Sequence, residues 1–283
     1  MRKKITVVRP GAVGDTLLLA PVLRGLEEAA CGAFTGTMPQ AQILADWNVV
    51  TKALDYELED LRRPSTEGNE SAAVLFMRPG QTVEQSFRSA GCRDVFFIDP
   101  FPEDPHEHIV DYTARRFGEC GLAARPDEAP FEPPAGRAAA GFPEGGVIVL
   151  PGSGSKRKNW SLEGFLETAR ALEKKGREVF WLLGPAESGA GMRRHLPPAV
   201  KTLGGLSLPD TAATLAGASL VIGNDSGPVH LAALLGTPTV AVFQAGSPET
   251  WAPRGVNVRV AGREGDPPTP PEVIAAAEDL LPP

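Results

Sequence analysis

Short apolar runs, many of them β-branched, alternate with stretches of helical spacing along almost the whole chain, and this alternation limits the fold more than any other feature. Ile5-Thr6-Val7-Val8 opens the series as a buried strand. Further strands are expected over residues 72–76, 94–98, 147–150, 178–183, 220–223, 239–243 and 256–260. Helical spacing fills the gaps at 17–30, with Pro21 in its first turns, and at 82–90, 107–120, 162–175, 188–195, 209–216, 228–235 and 271–281. A strand, a short helix and a second strand are expected between residues 32 and 70. Strands that alternate with helices are joined by crossovers, which makes the sheets parallel and the class α/β.

The alternation breaks once. Residues 124–146 hold Pro126, Pro130, Pro133, Pro134 and Pro143 among glycines and alanines, the composition of a linker. A chain of 283 residues is also long enough for two cores. The expected organisation is therefore a first Rossmann-like domain over 1–125, a linker over 126–146 and a second Rossmann-like domain over 147–283. In doubly wound domains ligands bind outside the carboxyl ends of the strands, so the loops after the strands are where chemistry is expected.

Composition removes several classes of function. The net charge of −7 speaks against a nucleic-acid binder, which carries a basic face. Cys31, Cys92 and Cys120 are far apart and odd in number, which excludes a disulfide framework and a Cys-x-x-Cys metal site. His106 and His108 have no ligand cluster around them, so no metal is expected. Arg9, Gly11, Gly14 and Asp15 interrupt the apolar stretch behind Met1-Arg2-Lys3-Lys4, unlike a signal peptide, and no apolar run is long enough to span a bilayer. The expectation is a cytoplasmic protein. Its three basic N-terminal residues are the one hint of peripheral contact with an anionic membrane surface.

Four loops carry polar groups that can act on a ligand. In Arg9-Pro10-Gly11-Ala12-Val13-Gly14-Asp15, two glycines turn the chain tightly from strand to helix and leave Asp15 at the helix start. Aspartate there is an ordinary cap; it is equally placed to act as a general base on a hydroxyl. In Pro151-Gly152-Ser153-Gly154-Ser155-Lys156-Arg157-Lys158-Asn159-Trp160, small residues including Ser153 bring backbone amides toward an anion, and Lys156, Arg157 and Lys158 supply charge. The Gly-Lys-Ser/Thr ending of a Walker A loop is absent. Glu187 in the third loop can bond ribose hydroxyls, although an exposed glutamate near a helix start needs no function. The fourth loop, Asn224-Asp225-Ser226-Gly227-Pro228-Val229-His230, ends a strand and opens a helix with proline at its first position. Such a helix start favours a diphosphate, with Ser226 adding a hydroxyl and His230 lying on the first turn. A hydrolase relay is excluded: Gly-x-Ser-x-Gly is missing and no histidine follows His230.

Taken in order, strand-Arg-x-x-x-x-Gly-Asp, Pro-Gly-Ser-x-x-x-x-Lys-x-Trp and Asn-Asp-Ser-Gly-x-x-His-x-Ala-Ala, with Gly236-Thr237-Pro238 and Phe243 behind the last, resemble glycosyltransferase family 9, the ADP-heptose:lipopolysaccharide heptosyltransferases. The resemblance implies a GT-B fold, with two Rossmann-like domains facing across a cleft. It also implies inverting, metal-independent transfer of a sugar, heptose in the family, from an ADP-sugar co-substrate to a saccharide acceptor such as the lipopolysaccharide inner core. By the same resemblance Asp15 matches the catalytic base, Lys158 the contact to the donor diphosphate and Glu187 the ribose contact. Asp225, Ser226, Gly227 and His230 match the donor pocket. Two departures stand out: Leu18-Leu19-Ala20-Pro21 where the family often has His-Thr-Leu-Pro, and Gln244-Ala245-Gly246 where it often has Gly-Pro-Thr. With a short N-terminal half, they keep two other readings open: an inactive binding or scaffolding protein, and a nucleotide-sugar epimerase or hydrolase.

Overall fold

The computed structural model describes residues 2–57, 61–64, 70–184 and 191–281. The chain divides into two compact units, Met1–Asp127 and Glu128–Pro283.

The first unit is built on a five-stranded sheet in the order β3-β2-β1-β4-β5. Its strands are β1 (Lys3–Val8), β2 (Ala29–Gly36), β3 (Val50–Asp55), β4 (Glu70–Leu75) and β5 (Asp94–Phe97). Every pairing is parallel. Ile5, Val7 and Val8 of β1 are fully buried because helices cover both faces of a parallel sheet. The strand order reverses between β1 and β4, which sets the loops behind these strands side by side at the carboxyl edge.

The expected helix over residues 17–30 is not continuous. The chain makes two short helices, Val13–Leu17 and Ala20–Arg24, and residues 29 and 30 already belong to β2. Proline lacks an amide hydrogen and is tolerated only in a first turn, so Pro21 marks a new helix start rather than the interior of a long helix. That helix ends at Gly25, whose amide bonds back to the Pro21 carbonyl.

The second unit has a six-stranded parallel sheet in the order β11-β10-β9-β6-β7-β8. The strands are β6 (Val147–Leu150), β7 (Val179–Leu183), β8 (Lys201–Gly204), β9 (Leu220–Asn224), β10 (Thr239–Val242) and β11 (Val258–Ala261). Counted within the unit this is the order 6-5-4-1-2-3, that of a complete dinucleotide-binding fold read from its other edge. Its core runs through Val147, Val149, Phe165, Trp181, Leu220, Ile222, Val240 and Val242 on the sheet and one covering helix, with Val273 and Ala277 from the last helix, Pro270–Leu280. The switch point lies between β6 and β9. Gly223 is required there: a Cβ on it would stand 2.6 Å from the Leu150 Cβ and 2.8 Å from the Val229 Cγ2.

Two expectations in this unit change. Strand β8 carried no apolar signal, since it is an edge strand that buries only Leu203. The expected helix over 188–195 lies partly outside the described residues; from Met192 to His195 the chain makes a tight 3₁₀ turn, entered through Gly191 at φ 68°. The proline-rich stretch does not hang free. The Phe131 amide bonds the Leu234 carbonyl, the Arg137 amide bonds Asp210 and the Ala139 amide bonds the Thr214 hydroxyl, which lays residues 131–139 on the second unit.

Candidate functional site

Each unit presents polar groups at its switch point. In the first, β1 ends at Val8 and the helix Val13–Leu17 follows at once. Ala12 is its N-cap and has no side-chain oxygen to offer; Asp15 serves this end instead, its Oδ2 accepting from the Ala12 amide at 2.9 Å. A Cβ at residue 11 would lie 2.9 Å from that same oxygen and 3.0 Å from the Asp15 Cβ, so a larger residue there would push on Asp15. Oδ1 points toward the Arg9 guanidinium, 3.7 Å from its Nη2. Asp15 is about 30% exposed and Arg9 is buried. Burial pulls the Arg9 guanidinium below its ordinary value, and the charge of Asp15 acts against that. Asp15 thus caps the helix through one oxygen, as the first of its two sequence readings expects, and its other oxygen lies toward Arg9.

In the second unit, the loop behind β6 and the loop behind β9 are neighbours because their strands pair. Lys158 ends a one-turn 3₁₀ helix, Lys156–Lys158, and its Nζ lies 2.6 Å from Asp225 Oδ2. The other oxygen, Oδ1, is 3.1 Å from His230 Nε2. With a carboxylate as its partner, Nε2 carries the proton, and Nδ1 is buried without a partner among the described residues. Asp225 and His230 are each 4% exposed. Burial pushes the Asp225 carboxyl up, but the hydrogen bond and charge of His230, followed by Lys158, outweigh it and hold the group below the ordinary carboxylate range.

Ser226 is the N-cap of the helix Gly227–Leu234, with Pro228 in its first turn. Its backbone is extended as a cap requires, yet the side chain makes no capping bond, and its Oγ is buried with no partner among the described residues. A buried hydroxyl left unpaired costs about 1–3 kcal/mol. A ligand oxygen at this helix start would recover that cost and meet the positive end of the helix dipole.

The remaining expected residues fall into place unevenly. The Ser153 hydroxyl bonds the Ser155 carbonyl and Asn159 Oδ1, both at 2.7 Å, so it shapes the loop. Lys156 is exposed, and Arg157 is exposed and pairs with Glu264 at 3.4 Å. Glu187 lies outside the described residues. Sequence reasoning placed Asn224 in the motif but gave it no role. Fully buried at the end of β9, it accepts from the Trp160 amide at 2.8 Å and donates to the Pro151 carbonyl at 2.7 Å, tying both ends of the Lys158 loop to the switch point. The signal was a polar residue ending an apolar strand, which must find partners when buried. Arg9 was also passed over as a site residue, though it stands in the quoted N-terminal motif.

The Asp225 cluster implies an acid-sensitive contribution to stability. A carboxyl whose native pKa is depressed stabilises the fold above its unfolded value of about 3.9, and the benefit is lost as pH falls through the lower native value. Asp225→Asn is expected to lower Tm at pH 7, and the gap to the wild type is expected to close as the pH is taken from 5 to 2. Calorimetric scans across that range check it, and a gap independent of pH would contradict it.

Among the described residues no helix is long and apolar enough to cross a membrane, and no group of three or more His, Cys, Asp or Glu could hold a metal ion.

Comparison with known proteins places this arrangement. Lipopolysaccharide heptosyltransferase 3 of Escherichia coli is 29% identical over 125 residues, 42% of this chain and 37% of the relative, so the match spans well under half of that protein. Among solved structures, ADP-heptose lps heptosyltransferase II of E. coli superposes with a TM-score of 0.71 at 21% identity, covering 98% of each chain. E. coli heptosyltransferase WaaC with ADP superposes with a TM-score of 0.73 at 18% identity, covering 98% of this chain and 100% of that one. These likenesses show the GT-B fold of two Rossmann-like units. Residues 117–274, more than half of the chain and all of the Lys158–Asp225–His230 cluster, match the profile of Glycosyltransferase family 9 (heptosyltransferase). The chain belongs to glycosyltransferase family 9, the heptosyltransferase family.

Proposed function

We propose that this protein transfers heptose from ADP-heptose to a saccharide acceptor, the lipopolysaccharide inner core in the first instance, with inversion at the anomeric carbon. The observation that supports this most is the second unit's switch point. A lysine, an unpaired buried hydroxyl and a helix start converge there inside the segment that matches the family profile. The ADP in one structural relative and the ADP-heptose in the name of another are consistent with this choice of donor.

In this reading the donor diphosphate lies over Ser226 and Gly227. Lys158 turns from Asp225 to the phosphate oxygens, and Lys156 and Arg157 add charge at the rim. The protein's own cations thus take the role a metal would otherwise fill. Asp225 and His230 hold the loop behind β9 in shape, and Glu187 meets the ribose. The acceptor hydroxyl attacks the anomeric carbon from the face opposite the diphosphate. Its proton passes to Asp15, the new C–O bond forms, and the bond to the diphosphate breaks with its electron pair leaving on ADP. A lipid-linked saccharide acceptor would bring the protein to the cytoplasmic membrane surface.

Incubation with ADP-heptose and a lipid A–Kdo acceptor tests the proposal by mass spectrometry and ADP release. One heptose added per ADP formed is the expected result. ADP formed with no change in the acceptor, or no ADP at all, would refute it for this donor and acceptor.

A further inference from the structure

The first unit carries a buried cation beside Asp15. Arg9 stands at the end of β1 with 2% of its surface exposed. Its guanidinium lies over the Phe76 ring, 4.6 Å from the centroid, and Nη2 donates to the Pro100 carbonyl at 3.3 Å. Nε and Nη1 are buried without hydrogen-bond partners among the described residues. The nearby Tyr112 hydroxyl is turned elsewhere and donates to the Asp99 carbonyl at 2.9 Å.

A charge held this way is costly, and buried ion pairs replaced by apolar side chains of similar volume often leave a fold no less stable. Packing alone therefore does not account for arginine here. Among the described residues its anionic neighbour is Asp15, whose Oδ1 lies at 3.7 Å. That is longer than a hydrogen bond and close enough for a strong Coulombic attraction.

We propose that Arg9 is a positioning residue for Asp15. The Ala12 amide holds Oδ2, and the buried guanidinium draws Oδ1. The two contacts fix the carboxylate plane, so that its remaining open sector faces the approaching hydroxyl. The family profile begins at residue 117 and does not reach this pair. The inference rests on Asp15 being the base, and its test keeps the two apart.

The test is a double-mutant cycle on the full chain, with R9M, R9K, D15N and both Arg9 variants in the D15N background. kcat, both KM values, the Kd for ADP-heptose and Tm are read for each. R9M is expected to lower kcat by roughly 100-fold, the scale of a misplaced catalytic group. R9K, which keeps the charge without the planar fork, is expected to recover about tenfold of that. Donor Kd and donor KM should stay within about twofold of wild type. In the D15N background neither Arg9 variant should lower the residual rate further, because the residue it acts through is gone. Equal losses in both backgrounds, or an unchanged kcat in the R9 variants, would overturn the proposal. If R9M proves too unstable to assay, the R9K arm of the cycle decides by the same criterion. D15N with near-normal turnover would instead remove the base assignment itself.

Discussion

Asp15→Asn is expected to lower the rate of transfer by roughly 10²–10⁴-fold, the range that a positioned general base contributes. Donor binding should be left nearly intact. The substitution is close to isosteric. The amide oxygen can still accept from the Ala12 amide, the contact Asp15 Oδ2 makes at 2.9 Å, so the helix Val13–Leu17 keeps its cap. What is lost is the capacity to take a proton from the acceptor hydroxyl, together with the ion pair to Arg9. Steady-state kinetics with both substrates varied checks this: kcat should collapse with donor KM little changed. Near-normal turnover would show that Asp15 is only a cap.

Lys158→Ala is expected to weaken donor binding by about 10–100-fold, the worth of one charge-assisted hydrogen bond. Two effects act in the same direction. The ammonium that meets the diphosphate is removed. Asp225, buried and now without the cation at 2.6 Å, presents uncompensated negative charge to the incoming phosphates. Lys158→Arg restores the charge with a different reach and should recover part of the loss. The measurement is kcat/KM for the donor, and an effect confined to the acceptor KM would move Lys158 out of the donor site.

The second unit was the more legible of the two, for a physical reason. Its strands β6, β7, β9 and β10 are buried on both faces and read as continuous apolar runs, and their helices begin at strong caps such as Ser161 and Ser207. Strand β8 was invisible because an edge strand with one buried side chain has no such pattern. In the first unit, apolar spacing continued across Leu19, Val22, Leu23 and Leu26, which suggested one helix. Each of these residues is indeed buried, but Pro21 and Gly25 cut the backbone that carries them. Periodicity registers burial, and the interruption depends on a missing amide hydrogen.

The site shows the same division. Lys158 and Asp225 stand 67 positions apart. Each was visible from its own loop, as a cation in a glycine-rich turn and a carboxylate before a helix start. That they meet at 2.6 Å follows from β6 and β9 pairing across the switch point, which a linear reading supplies only through the strand order. Asn224 and Arg9 stand in the motifs but were given no role, because their significance lies in partners brought close by the fold, two backbone groups for one and a carboxylate for the other.

Calorimetric titration of the wild type and the Lys158→Ala variant with ADP, UDP, GDP and ADP-heptose decides whether the switch point of the second unit is an ADP-sugar site. The predicted result is saturable binding of ADP in preference to UDP and GDP, tighter with the heptose attached and weakened by about 10–100-fold in the variant. Absence of nucleotide binding, or identical affinities in the two proteins, would contradict it.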